Sequence, residues 1–122
     1  SVAAGAGTLT ATIGGLGAKA INTALSSIQR IQHASRHLIQ SGVLPNWSKN
    51  TAQMARQIYT QILSNPTKTF NHVLRGGESV TGYYSKVNGQ DIVVFIYNAG
   101  KYAGEIATSI VPSAQQMQNW GL

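Results

Sequence analysis

GGESVTGYYSKVNGQDIVVFIYNAGKYAGEIATSIVPSAQQMQNWGL, residues 76–122, holds three strand-like segments behind a Gly-Gly link. Asn88-Gly89 separates two of them, and Asn-Gly is a strong hairpin signal because both turn residues must accept positive φ. Ile92 to Ile96 is apolar at every position, as a central strand buried on both faces would be. A tight turn is predicted at Asn98 to Lys101, followed by a strand over Tyr102 to Val111 that Pro112 closes. Alternation along that strand puts Tyr102, Ile106, Thr108 and Ile110 on one side, and Ala103, Glu105, Ala107 and Ser109 on the other. Ser113 to Trp120 reads as a short polar helix or tail.

Upstream, the period changes to that of helices. Ile21, Ala24, Leu25, Ile28, Ile31, Ser35, Leu38 and Ile39 form one stripe and predict a long helix over Lys19–Gln40. Gly42 suits a left-handed C-terminal cap. Arg30, His33, Arg36 and His37 lie mainly off the stripe and read as a solvated basic face. Met54, Ala55, Ile58, Tyr59, Ile62 and Leu63 predict a second helix near Thr51–Leu63, capped by Asn46, Ser48 or Asn50 and ended by Pro66. A short helix is predicted over Pro66–Leu74, stopped by Gly76-Gly77. Its spacing would bring Lys68, His72 and Arg75 onto one flank. The predicted class is therefore α+β, with N-terminal helices packed on a small C-terminal antiparallel sheet.

At 122 residues the chain suits one domain. Residues 1–18 are rich in Gly and Ala and read as a linker or the remnant of an entry segment, leaving 19–122 as the folded domain. The missing initiator methionine suits a piece of a longer polypeptide. Nine Lys and Arg face three acids, a formal charge of +6, which favours polyanionic partners. There is no cysteine, so disulfides and thiolate chemistry are excluded. Glu78, Asp91 and Glu105 are too few for a two-metal phosphodiesterase site. His33 and His37 have zinc-ligand spacing but no acid or thiol beside them. No metal and no cofactor are expected.

Cleavage of RNA asks for less. The ribose 2′-hydroxyl is the nucleophile, and the protein needs groups that move protons and cations around the phosphate. His72 is the candidate proton carrier, Lys68 and Arg75 are the flanking cations, and Thr108 or Ser109 is the hydroxyl that orients the phosphate. Only one of the last two faces a cleft unless a bulge intervenes, and Ser109 is preferred. Lys86, Tyr84, Lys101, Gln116 and Trp120 are candidate RNA contacts.

The phrases HLIQSGVLPNWS (37–48), SNPTKTFNHVLRGG (64–77), VNGQDIVVFI (87–96) and GKYAGEIATSIVPS (100–113), with the closing Gln-rich segment, resemble the toxin tRNases of contact-dependent growth inhibition. These belong to the barnase–EndoU–colicin–RelE superfamily, in which colicin D is a more distant likeness. The resemblance implies a microbial-ribonuclease-like fold and a metal-independent cut in or near a tRNA anticodon stem-loop, leaving a cyclic phosphate. It implies an acidic cognate immunity protein, delivery on a larger secreted or cell-surface exoprotein, and action in the target cytoplasm. It leaves open a host activating factor, and it implies no stable membrane association of the nuclease domain. Two other readings stand beside it. One is a non-catalytic RNA-binding module using Tyr83, Tyr84 and Tyr97 as stacking platforms. The other is a membrane-active bacteriocin fragment using the Gly/Ala segment and the basic helix.

Overall fold

A computed structural model describes residues 14–122 of the chain. The linker assignment for residues 1–13 lies outside the described residues. In chain order the elements are α1 (Ala18–Ala24), α2 (Ile28–Ala34), α3 (Arg36–Gln40), α4 (Lys49–Ser64), β1 (Lys68–Val73), β2 (Ser79–Val87), β3 (Gln90–Tyr97), β4 (Ile106–Ile110) and α5 (Ala114–Trp120). The α+β class is as the sequence predicts. Four antiparallel strands lie in the order β1-β2-β3-β4.

The long helix of the sequence reading is three short ones. Serines make the breaks, because their hydroxyls offer the backbone partners that compete with a continuous helix. Ser27 is extended and caps α2 by accepting from the Arg30 N–H, and Ser26 Oγ donates to the Thr23 carbonyl. Ser35 Oγ donates back to Ile31 at the junction of α2 and α3. The break at residues 25–27 turns α2, so Ile28, expected in the stripe, is 52 % exposed. The rest of the stripe holds: Ile21, Ala24, Leu25, Ile31, Ser35 and Leu38 are buried, and Ile39 is half-buried against the same core. Gly42 is left-handed at φ 81°. Leu16 packs on this core, and its N–H donates to the Leu63 carbonyl, so the packed body reaches upstream of Lys19.

In α4, Ser48 is the cap and accepts from Thr51 N–H. Tyr59, Ile62 and Leu63 face inward, but Met54 is 41 % exposed and lies off the buried face. The helices α1 to α4 cover one face of the sheet through Tyr83, Val87, Ile92, Val94, Ile96 and Ile106. The other face carries Val80, Val93, Phe95 and Ala107, and α5 lies over it through Trp120 and Leu122. Ser113 and Gln116 form a reciprocal capping box that starts α5, and Gly121 at φ 71° ends it.

The largest departure is at residues 66–74. The predicted short helix is strand β1, paired along its length with β2, from Lys68↔Tyr84 to Val73↔Ser79. Phe70, Val73 and Leu74 fit a helical spacing, but an isolated helix this short is marginal, whereas pairing satisfies six residues of a nine-residue neighbour. Gly82 was the missed signal. A glycine inside a strand marks a close approach, and here the Phe70 ring occupies the space its side chain would fill.

The Asn88-Gly89 hairpin has φ of 51° and 80°, both positive as its turn requires. The following connection differs from the tight turn predicted. Residues 98–105 form a loop, closed by Gly104 N–H to Tyr97 O and Tyr97 N–H to Glu105 O, so β4 starts only at Ile106. Ile96 pairs with Ile106 but Phe95 pairs with Thr108, which makes Ala107 an extra residue in the ladder.

Candidate functional site

That bulge settles which face of the sheet each β4 hydroxyl takes. Ser109 is paired with Val94 and turns into the helix-side core, where it is fully buried, donates to Ala34 O at 2.8 Å and lies 2.7 Å from Tyr59 Oη. The preference for Ser109 as a phosphate contact is therefore corrected: its hydroxyl is spent on the core. Thr108 shares the face of Phe95, and its hydroxyl is buried there without a partner.

β1 also disperses the basic trio. Four residues of strand separate Lys68 and His72 by about 13 Å along the chain, where one helical turn would have given about 6 Å. Arg75 stands exposed in the turn beyond the strand. Lys68, Phe70 and His72 do share the α5 face by strand alternation. There Lys68 Nζ donates to Gly121 O at 2.6 Å. His72 lies 5.3 Å from the rings of both Phe95 and Trp120, and Phe70 stacks on Trp120 at 4.9 Å. Thr108 on β4 is three strands away from β1, roughly 14 Å. The sheet face is an aromatic wall with one imidazole in it, not a compact cluster of charges.

The candidate RNA contacts are likewise partly engaged. Tyr84 donates to Asp91 Oδ1 at 2.6 Å, and Lys86 Nζ lies 3.8 Å from the same oxygen. Gln116 accepts from Ser113 N–H in the capping box. Lys101 Nζ sits 5.5 Å from the Tyr102 ring. Tyr83, offered as a stacking platform, is in the helix-side core. Tyr84 and Tyr97 stay half-buried on the other face.

The hydrogen bond to Asp91, helped by desolvation and the carboxylate charge, pushes the Tyr84 phenol up to about 12. The phenol is raised above its unfolded value near 10, so its contribution to stability is whole below about pH 10 and fades as pH rises through 12. The phenolate absorbance of Tyr84 should thus emerge only near pH 12, and Asp91→Asn should bring it back toward 10. An unchanged titration curve in Asp91→Asn would show that the bond is not made in solution.

A second cluster was read in the sequence as a solvated face. A cleft of about 370 Å³ opens between α2 and the 98–105 loop, lined by Ser27, Gln29, Arg30, His33, Tyr102 and Glu105. Helical spacing on α2 brings Arg30 and His33 to one side, and the loop brings Tyr102 and Glu105 against them. The Arg30 guanidinium lies 3.3 Å from the Tyr102 ring centroid, a cation–π stack. Its Nε is 3.9 Å from Glu105, too far for a hydrogen bond. Arg36 Nε donates to His33 O, and its Nη2 lies 3.3 Å from His33 Nε2. A guanidinium has donors only, so Nε2 accepts and the ring proton sits on Nδ1. Burial, then Arg36, Arg30 and His37, hold the His33 imidazole below its usual range. Sequence could place Arg30 and His33 together; it gave no sign that the loop would return Tyr102 and Glu105 to them.

Among the described residues, no three His, Asp or Glu side chains are grouped as metal ligands. No described helix is long and apolar enough to cross a membrane. No family model matches the chain, and no curated protein or solved structure matches it at a significant level.

Proposed function

We propose that the chain is the ribonuclease domain of a bacterial antagonism toxin. It cleaves tRNA in the anticodon region by 2′-hydroxyl attack, needs no metal, and is neutralised by an acidic immunity protein. The observation that carries this reading is the meeting of imidazole, guanidinium and aromatic ring in one cleft on a chain of formal charge +6. Cations bind the phosphodiester, an imidazole moves protons near neutral pH, and a ring accepts a base by stacking. The helices-on-sheet architecture agrees with the family likeness on which the choice of tRNA rests. Delivery on a larger exoprotein belongs to the same proposal, as does an immunity partner whose charge complements this surface.

Purified protein incubated with total tRNA in EDTA should produce discrete fragments ending in 2′,3′-cyclic phosphate. Intact tRNA, or cleavage that appears only when a divalent metal is restored, would overturn the reading. A non-catalytic RNA-binding module would retard tRNA in a gel and leave it whole.

A further inference from the structure

We propose that the cleft between α2 and the 98–105 loop is where the scissile phosphate of RNA docks, with Arg30 and Arg36 holding the phosphate, Tyr102 stacking on a base and Glu105 accepting from the 2′-hydroxyl. The substrate identity rests on the ribonuclease reading; the nucleotide site itself rests on the geometry of the cleft.

The site is built from three observations. Arg30 is stacked on Tyr102 and is not hydrogen-bonded to Glu105, so its guanidinium donors are not committed to that carboxylate. Arg36 stands at the edge of the cleft, outside its lining, held by bonds from Nε to the His33 carbonyl and from Nη2 to His33 Nε2. Arg30 and Glu105 balance within the lining, and Arg36 at its edge tips the site positive on an already basic chain. A guanidinium presents a fork that fits two phosphate oxygens at once.

Glu105 opposes an anion in general, but it distinguishes between anions. A carboxylate beside the sugar gains a hydrogen bond from a ribose 2′-hydroxyl and gains none from deoxyribose. His33 Nε2 is an acceptor in the free protein. Arg36 fills that lone pair in the free protein. Once Arg36 turns to the phosphate, the 2′-hydroxyl, held by Glu105 on binding, passes its proton to Nε2 as O2′ bonds to phosphorus and the P–O5′ bond breaks. The departing oxygen draws its proton from solvent. The sheet face lacks this concentration, since Lys68 is tied to Gly121 and His72 is set among aromatic rings.

Adenosine 3′-phosphate carries a base, a 2′-hydroxyl and a phosphate, but no bond to cleave. Added to the full chain, it should shift the His33 and Tyr102 ring resonances, and its 2′-deoxy analogue should bind more weakly. Arg30→Gln should weaken binding by roughly tenfold or more, the scale of a lost charge-assisted hydrogen bond. His33→Gln should lower tRNA cleavage in EDTA by about 10²–10⁴, with unfolding temperature unchanged. Lys49→Ala, which removes one positive charge on α4, should cleave as the native chain does. Tyr102→Leu, altered only in the loop, keeps the test open should an α2 variant unfold; it should weaken nucleotide binding too.

Shifts confined to His72 and Trp120 would overturn the assignment, as would native cleavage rates in folded Arg30→Gln and His33→Gln. Nucleotide binding at the cleft by a chain that cuts no RNA would sink the ribonuclease reading and leave the site standing.

Discussion

Tyr59→Ala should cost about 3–5 kcal/mol of unfolding free energy, the range for deleting a large buried aromatic. Tyr59 is fully buried at the junction of α2, α4 and β4. Its hydroxyl lies 2.8 Å from Ser35 Oγ and 2.7 Å from Ser109 Oγ, while Ser35 Oγ is 2.7 Å from Ile31 O and Ser109 Oγ is 2.8 Å from Ala34 O. Three hydroxyl protons thus serve four short contacts, so one contact is always without a proton of its own. Burial raises the Tyr59 phenol pKa, and the two serine bonds offset part of that rise.

Tyr59→Phe keeps the ring and removes only the bridge. Both serines retain a carbonyl to donate to, so its cost should be smaller, about 1–3 kcal/mol. Urea unfolding of the two variants separates packing from hydrogen bonding. Equal losses would mean that the ring contributes little, contrary to its burial.

Gly82→Val should be the most damaging change on the opposite face. A Cβ at Gly82 would lie 2.5 Å from Phe70 Cζ and 2.6 Å from its Cε1. The ring must then swing off β2 and leave its stack on Trp120 and its edge contact with Phe95. Overpacking of this kind costs roughly 1–3 kcal/mol. Because Phe70 is a main support of Trp120, α5 should loosen before the sheet does. In a Trp47→Phe background, where Trp120 is the one remaining tryptophan, the emission should shift to the red in low urea. A single coincident transition for fluorescence and far-UV dichroism would show that α5 does not depend on Phe70.

The same residues explain what the sequence disclosed. Hairpin chemistry at Asn88-Gly89 and the unbroken apolar run of β3 are local signals, and both elements came out as read. The α4 pattern likewise survived, since one face of Ala55, Tyr59, Ile62 and Leu63 suffices to dock a helix. Residues 66–74 failed because Phe70, Val73 and Leu74 satisfy either period, and only the distant partner β2 decides between them. The orientation of Ser109 and Thr108 turned on one extra residue at Ala107, which reverses every side chain beyond it. Lys68, His72 and Arg75 looked like a cluster only on a helix. The cleft at Arg30 was half legible: its α2 members were noted, but the return of Tyr102 and Glu105 depends on a loop whose closure by Gly104 no spacing revealed.

Each strand of the sheet pairs with its neighbour in sequence, with α1 to α4 before it covering one face and α5 after it covering the other. Loop-closure entropy is therefore small for each strand pairing, a condition that favours quick formation of the sheet, whereas the bond from Ser109 to Ala34 joins residues far apart in the chain. With no thiols to oxidise or reshuffle, the chain needs no redox catalyst to regain its shape. Its refolding is therefore indifferent to whether the surroundings are oxidising or reducing.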